Sequence, residues 1–321
     1  MTRRDPAEPP LQVLFITAFG RSGTTLLDNV LGQAPGFFSL GETQFVWDRS
    51  LRDNRLCGCG KPFRDCEVWG PVADEVLADL SPDEIEEMVR VRDGLGSLRL
   101  LARSRRGARG VTPELRRYVD RLERLYRAVR RVTGCRVQID SSKSPSHGYV
   151  LDRMSGVDLR VVHMVRNPRA VAFSWQKRKV YDASGDEPMY MARLSLRKSG
   201  LMWLGWNLVS ELLWRRRSNY RRLRYEDFVD RPRETLEEIL ATLGADGAEL
   251  PFTDSHTVEL DANHCLAGNP GRFRHGPVAI RRDEEWTREM SAWKQLAVVG
   301  WTWPLLARYG YLFPLSARDA G

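Results

Sequence analysis

Residues Ala18-Phe19-Gly20-Arg21-Ser22-Gly23-Thr24-Thr25 have the composition of a phosphate cradle. Glycines let backbone N–H groups turn inward, and the helix expected to follow adds partial positive charge at its N-terminus. Thr24 and Thr25 supply hydroxyl donors at the same place. A loop that holds ATP needs Gly-x-x-x-x-Gly-Lys-Ser/Thr. Here Ala18 stands at the first position and Thr24 at the lysine position. Without that lysine there is no cation to reach the outer phosphates of a nucleoside triphosphate. The loop therefore favours a ligand with a 5′-phosphate whose charge is compensated from elsewhere. Two further polar stretches follow apolar runs: Asp140-Ser141-Ser142-Lys143, and Arg166 through Ser174.

The elements that must position these groups follow from periodicity. Residues 13–17 read as a buried strand, and Leu26, Leu27, Val30 and Leu31 give residues 24–32 a helical stripe. A second strand is expected at 136–139, ending at Asp140–Lys143, and a third at 159–165, ending at Arg166-Asn167. Pro168 suits the first position of a helix running through residue 175. Further helices are expected over 189–216, from 230 or 231 to 243 with Gly244 as terminator, and over 293–309 with a bend at Pro304. A short strand fits 221–225, and Ser81 with Glu84 forms a capping-box signature. Alternating strands and helices imply parallel pairing by right-handed crossovers, with ligands gathering at the carboxyl ends of strands. The expected fold is α/β: a P-loop-like parallel sheet flanked by helices, with a largely helical insertion at 50–134. Residues 1–10 read as a disordered arm and 11–315 as one domain.

Composition narrows the class. The 321 residues are 42% hydrophobic and 29% charged, which supports a full core and excludes disorder, collagen or a coiled coil for the whole chain. No stretch approaches the ~20 apolar residues of a membrane span. The N-terminal run lacks a small-residue cleavage site, so a cytoplasmic location is expected over secretion. The net charge of +8 favours an anionic ligand, though solubility alone accounts for it equally well. Twelve arginines between positions 99 and 131 face only Glu114, Asp120 and Glu123. Leu115, Val119, Leu122, Leu125, Tyr126 and Val129 make the second half of that segment amphipathic, with the arginines on its solvated face.

Taken together, these residues resemble the sulfotransferase family, which uses 3′-phosphoadenosine 5′-phosphosulfate as sulfuryl donor. Gly20, Arg21, Ser22, Gly23, Thr24 and Thr25 are similar to that family's 5′-phosphosulfate loop. Arg166 and Ser174, eight residues apart, resemble its 3′-phosphate site, where an arginine and a hydroxyl converge on a dianion. The pattern is nearest to carbohydrate and tyrosylprotein members. Glu42, twenty-one residues beyond Arg21, matches members whose general base is a glutamate. Lys143 matches the lysine after the next strand, and Arg178-Lys179-Val180 follows Ser174 in the familiar way. Residues 264–290 resemble a cofactor-closing loop, through Gly268-Asn269-Pro270 and Arg272-Phe273-Arg274-His275-Gly276. His275 stands where lysine is usual, and whether Arg272 or Arg274 reaches the donor stays open. Tyr225 joins the donor-binding set. The resemblance implies in-line transfer to an acceptor hydroxyl of a small molecule or carbohydrate. Glu42 would take the proton, and Lys143 and Arg21 would receive the charge of the leaving group. No metal is implied.

Other residues carry alternatives. His163, inside an apolar strand, reads as a core residue; His147 and His264 are the fallback bases. His256, His264 and His275 lie in C-terminal loops. Trp175, Trp203, Trp206 and Trp214 read as core, or as a wall for the acceptor. Cys57, Cys59 and Cys66 cluster without the two-plus-two spacing of a zinc site, so packed thiols are the first reading and zinc needs a fourth ligand from elsewhere. A P-loop-type phosphotransferase using ATP and Mg²⁺, or a nucleic-acid-binding protein using the arginine belt, are the rival functions. Aromatics are not interleaved there as a stacking platform would require, and no recognised binding module appears, so no nucleic-acid partner is expected.

Overall fold

Strand β1 (Leu11–Thr17) is the apolar run of the sequence, and its residues alternate between two cores. Leu11, Val13 and Phe15 join one buried cluster, and Leu14 and Ile16 the other. A strand covered on both faces must be apolar at nearly every position, which is why this run shows no polar alternation. The structure is a computed structural model that describes residues 10–96, 111–178, 180–182 and 189–312. The expected N-terminal arm and much of the arginine-rich stretch, like Lys179, lie outside the described residues.

The chain continues through helix α1 (Thr24–Leu31), β2 (Phe37–Gly41), α2 (Trp69–Val76), α3 (Pro82–Gly94) and α4 (Pro113–Thr133). Next come β3 (Val137–Lys143), α5 (Pro145–Leu151), β4 (Val157–Val165), α6 (Pro168–Gln176), β5 (Val180–Asp182) and β6 (Met189–Tyr190). Helix α7 (Leu196–Trp214), β7 (Tyr220–Arg224), α8 (Tyr225–Asp230) and α9 (Pro232–Thr242) complete the α/β body. The C-terminal part holds β8 (Thr257–Leu260), β9 (Gly276–Ala279), α10 (Glu285–Glu289) and α11 (Ala292–Arg308). Five strands form one sheet in the order β2-β3-β1-β4-β7, and every pairing in it is parallel. The expected α/β class is therefore the observed one. Among the described residues no helix is long and apolar enough to cross a membrane.

The insertion is helical, as expected, and packs on the face that holds Leu11, Val13 and Phe15. Ser81 and Glu84 make the capping box that starts α3. Thr112 caps α4 and Gly134, at φ 66°, ends it. Much of the arginine face of α4 is paired rather than bare. Arg117 meets Glu87, Arg121 meets Asp79 at 2.9 Å, and Arg131 meets Glu75. These exposed pairs add little stability each.

Four boundaries differ from the sequence reading. Asp140–Lys143 lies inside β3 rather than after it. Strand β2, short and carrying Ser39 and Gly41, was not anticipated. Helix α7 begins at Leu196, because Met189 and Tyr190 pair with β5. Residues 276–279 pair antiparallel with β8 instead of forming only loop.

Candidate functional site

The cradle between β1 and α1 uses two left-handed residues, Arg21 (φ 74°) and Gly23 (φ 87°). Tyr225 covers Gly23 so closely that a Cβ there would sit 2.5 Å from its ring, and Trp175 covers Gly20 at 2.8 Å on the same test. Both positions therefore require glycine for space, and Gly23 requires it for backbone freedom as well. The Ser22 hydroxyl donates to the carbonyl of Phe19 at 2.7 Å, which fixes the turn from within. The guanidinium of Arg21 lies 4.9 Å from the Trp175 ring centre. Its three nitrogens are buried and have no hydrogen-bond partner among the described residues. Burial pushes its pKa down, and the nearby Glu42 carboxylate opposes that shift. A buried cation without a partner carries a desolvation cost that an anion would offset.

Glu42 follows β2 directly. Its N–H donates to the carbonyl of Leu266 at 2.8 Å, and the Leu266 N–H donates to Leu40 at 2.8 Å. Lys143 ends β3 at φ 68°, a conformation that a lysine adopts only when its surroundings enforce it. Three donors do so by converging on its carbonyl: Thr17 Oγ1 at 2.8 Å, Trp206 Nε1 at 3.1 Å and the Ala18 N–H at 3.2 Å. With its backbone held there, the Lys143 ammonium pairs with Oε1 of Glu42, both side chains being mostly buried. Gly268, at φ 90°, packs on that carboxylate: a Cβ there would lie 2.8 Å from Oε1.

Arg166 ends β4. The indole N–H of Trp203 holds its carbonyl at 3.1 Å, and its guanidinium lies 4.4 Å from the centre of the Tyr225 ring. Nη1 donates to the carbonyl of Arg21 at 3.0 Å, tying the strand end to the cradle. Nη2 pairs with the carboxylate of Asp283 at 3.0 Å. Burial raises the pKa of Asp283, but the bond to Arg166 outweighs it and holds the carboxyl below its usual value. Ser174 is buried on α6, beside Trp175, whose indole N–H donates to the carbonyl of Gly20 at 3.1 Å.

One cleft of about 950 Å³ joins these groups: Arg21, Glu42, Lys143, Arg166, Ser174 and Tyr225 all line it, with Gly20, Gly23, Thr24 and Thr25 at its floor. Its volume suits a nucleotide-sized ligand. Arg274 also lines it. Three residues expected at the donor do not. The Ser22 side chain is turned into its own loop, leaving only its backbone to face outward. Arg272 is buried, donating to the carbonyls of Gly268 at 3.2 Å and Leu56 at 3.4 Å, and so holds the loop's shape. Gly276 opens β9, opposite Leu260. Of Arg272 and Arg274, it is thus Arg274 that faces the cleft. Neither fallback histidine lines it: His147 is buried against Asp140 at 3.0 Å, and His264 turns towards the three clustered cysteines. His163 is a core residue, bonded to Tyr220 and Asn207 at 2.8 Å each.

Sequence reasoning missed Phe45, Arg49, Arg55, Tyr190, Arg281 and Asp283, which also line the cleft. They sit in short helical turns, irregular segments or short strands, too brief to leave a periodic signal. The family model described as the sulfotransferase family matches residues 13–249. The chain belongs to the sulfotransferase family. Among solved structures, this sulfotransferase is similar to the sulfotransferase domain from the Synechococcus PCC 7002 olefin synthase, with 22% identity over 98% of this chain and 100% of that one (TM-score 0.48). It is also similar to the sulfotransferase domain from the curacin biosynthetic pathway, with 15% identity over 96% and 100% of the two chains (TM-score 0.47). A sulfotransferase from Alicyclobacillus acidocaldarius aligns at 15% identity over 94% and 96% (TM-score 0.38). No curated protein sequence matches the chain. In this sulfotransferase one cleft joins the glycine-rich loop after β1, the cationic side chains of Arg21, Lys143 and Arg166, and the carboxylate of Glu42.

Proposed function

We propose that this enzyme transfers a sulfuryl group from 3′-phosphoadenosine 5′-phosphosulfate to the hydroxyl of a carbohydrate or natural-product acceptor. The observation that carries the reading is the shared cleft of Arg21, Glu42, Lys143, Arg166 and Ser174, in which the Arg21 guanidinium has no hydrogen-bond partner among the described residues. The loop N–H groups, Thr24 and Thr25 would hold the 5′-phosphosulfate. Arg166 and Ser174 would hold the 3′-phosphate, which must compete with Asp283 for the guanidinium. Tyr225 stacks on Arg166 and fixes its plane. Arg274 would close over the donor from the C-terminal loop.

Transfer forms one bond from the acceptor oxygen to sulfur and breaks the bond from sulfur to the 5′-phosphate oxygen. An alcohol is a poor nucleophile until its proton is taken as the new bond develops. Lys143 holds Oε1 of Glu42, and Oε2 is the oxygen that would accept that proton. Negative charge grows on the departing phosphate oxygen, where Arg21 and Lys143 stabilise it as preorganised cations. The acceptor would enter past Phe45, Arg49 and Tyr190 on the far side of Glu42.

Titration calorimetry with 3′,5′-adenosine bisphosphate and with ADP tests the donor site. The bisphosphate should bind more tightly without added metal, and Arg166→Ala should remove the difference. Equal affinities for the two nucleotides would overturn the assignment of Arg166 and Ser174.

A further inference from the structure

The cluster of Cys57, Cys59 and Cys66 gains a fourth member in the fold. His264 arrives from a segment about two hundred residues away, and the four ligand atoms lie within 4.8 Å of one another. The Cys66 sulfur is 3.6 Å from that of Cys57 and 3.8 Å from that of Cys59. His264 Nδ1 is 3.2 Å from Cys66 Sγ and 4.0 Å from Cys57 Sγ. Tetrahedral Zn²⁺, with Zn–S bonds of ~2.3 Å and Zn–N bonds of ~2.0–2.1 Å, sets its ligand atoms about 3.5–3.8 Å apart. None of the sulfur pairs is bonded as a disulfide. Packed thiols therefore describe the cluster less well than four ligands at the corners of a tetrahedron.

The surroundings match a metal's needs in two further respects. The backbone N–H groups of Val68 and Trp69 point to the sulfur of Cys66, and that of Cys59 to the sulfur of Cys57. N–H groups directed at sulfur in this way are outer-shell partners that orient metal ligands. On the other side of the imidazole, His264 Nε2 lies 3.6 Å from the Glu67 carboxylate. A histidine that offers Nδ1 to a metal commonly gives its remaining N–H to a carboxylate, which fixes the tautomer. The ring is also stacked on Phe38, with 15° between planes.

We propose that Cys57, Cys59, Cys66 and His264 form a structural zinc site. Four protein ligands close the coordination shell, so the ion has no open position for substrate. None of the four lines the cleft. Its effect is to staple the insertion to the C-terminal segment that seats Glu42. Gly58 N–H donates to Cys265 at 3.0 Å, and a Cβ on Gly58 would collide with Asn263. Two residues past His264, Leu266 receives the N–H of Glu42. The site stands whether or not the cleft takes the donor proposed above.

Metal analysis of the full chain, purified without chelator, should give one zinc per chain. Cobalt exchanged for the zinc should show thiolate charge-transfer and tetrahedral ligand-field bands. Removing zinc with a chelator should open three more thiols to an aromatic disulfide reagent, and added zinc should protect them again. Cys59→Ser should lose the metal. Should that variant fail to fold, Glu67→Ala decides on a folded protein: it leaves all four ligands and should release zinc to a competing chelator about 10–100-fold more readily. Zinc-free protein whose thiols added zinc does not protect would overturn the proposal. So would a disulfide among Cys57, Cys59 and Cys66 in peptide maps, stoichiometric iron in place of zinc, or unchanged zinc release from Glu67→Ala.

Discussion

The two walls of the cleft are built differently. One wall is the carboxyl edge of the sheet, where Gly20, Lys143 and Arg166 each have a carbonyl held by a tryptophan N–H, from Trp175, Trp206 and Trp203. The other wall is the C-terminal loop from 263 to 285, held by the Leu266 bridge to β2, by Arg272, and by the pairing of Asp283 with Arg166. On the sheet side, directional bonds inside a packed interior fix the backbone itself. On the loop side, the backbone bridge and buried Arg272 fix the segment near Glu42, while the half-exposed carboxylate of Asp283 makes a pair that an anionic ligand could displace. In the reaction proposed above, the groups assigned to chemistry, Arg21, Glu42 and Lys143, belong to the sheet wall, and Asp283, which would give up its partner, belongs to the other.

That contrast can be broken by measurement. Glu42→Gln should retain bisphosphate binding and lower turnover by about 10²–10⁴, the usual contribution of a positioned base. Undiminished turnover would remove Glu42 from the chemistry. The rigid wall should also be sensitive to acid. Burial pushes His163 down from 6.5 to about 4, while Asn207 and Glu211 act the other way. The unfolded chain therefore takes up the proton first, so stability is full above pH 6.5 and falls as the pH drops towards 4, by a few kcal/mol in total. Asp28, raised by burial to about 7, has the opposite sign, losing stability as pH rises towards that value. The informative quantity is therefore the denaturation midpoint of wild type against His163→Gln at each pH: the variant should lack the loss between 6.5 and 4.

Smaller effects distinguish the walls more finely. Trp206→Phe removes one bond to the Lys143 carbonyl, about 0.5–1.5 kcal/mol. It should lower kcat about 2–10-fold with bisphosphate affinity unchanged, a factor that follows from that energy. A loss of affinity instead would mean that the indole supports the donor and not the lysine. Asp283→Asn removes a half-exposed competitor for Arg166 and should tighten the bisphosphate about 2–5-fold, within the ~0–1 kcal/mol of such pairs. Calorimetry would show ADP unaffected; equal tightening of both would place Asp283 elsewhere in the electrostatics.

The sheet wall was legible in the sequence because its grammar is local. A strand, a polar turn and a helix occupy consecutive residues, so the stretches that carry Arg21, Lys143, Arg166 and Ser174 stand out in the pattern, and the resemblance to the family singles out those residues within them. Strand β2 was not, since Phe37–Gly41 is five residues long and carries a serine and a glycine. The tryptophans were read as core or acceptor wall, and no periodicity reveals that an indole N–H reaches a strand-end carbonyl. The loop wall was partly misassigned, with Arg272 and Gly276 expected at the donor, because its contacts join positions far apart in the chain. The same distance hid His264 from the three cysteines.

The parallel bridge between Gly41 and Leu266 has a consequence for synthesis on the ribosome. The cradle and both strand-end cations are complete once about two-thirds of the polypeptide has emerged. The backbone hydrogen bond that seats Glu42 arrives only with residue 266, so in a nascent chain halted before that point the Glu42 N–H lacks the Leu266 carbonyl and the second wall of the cleft is not yet made.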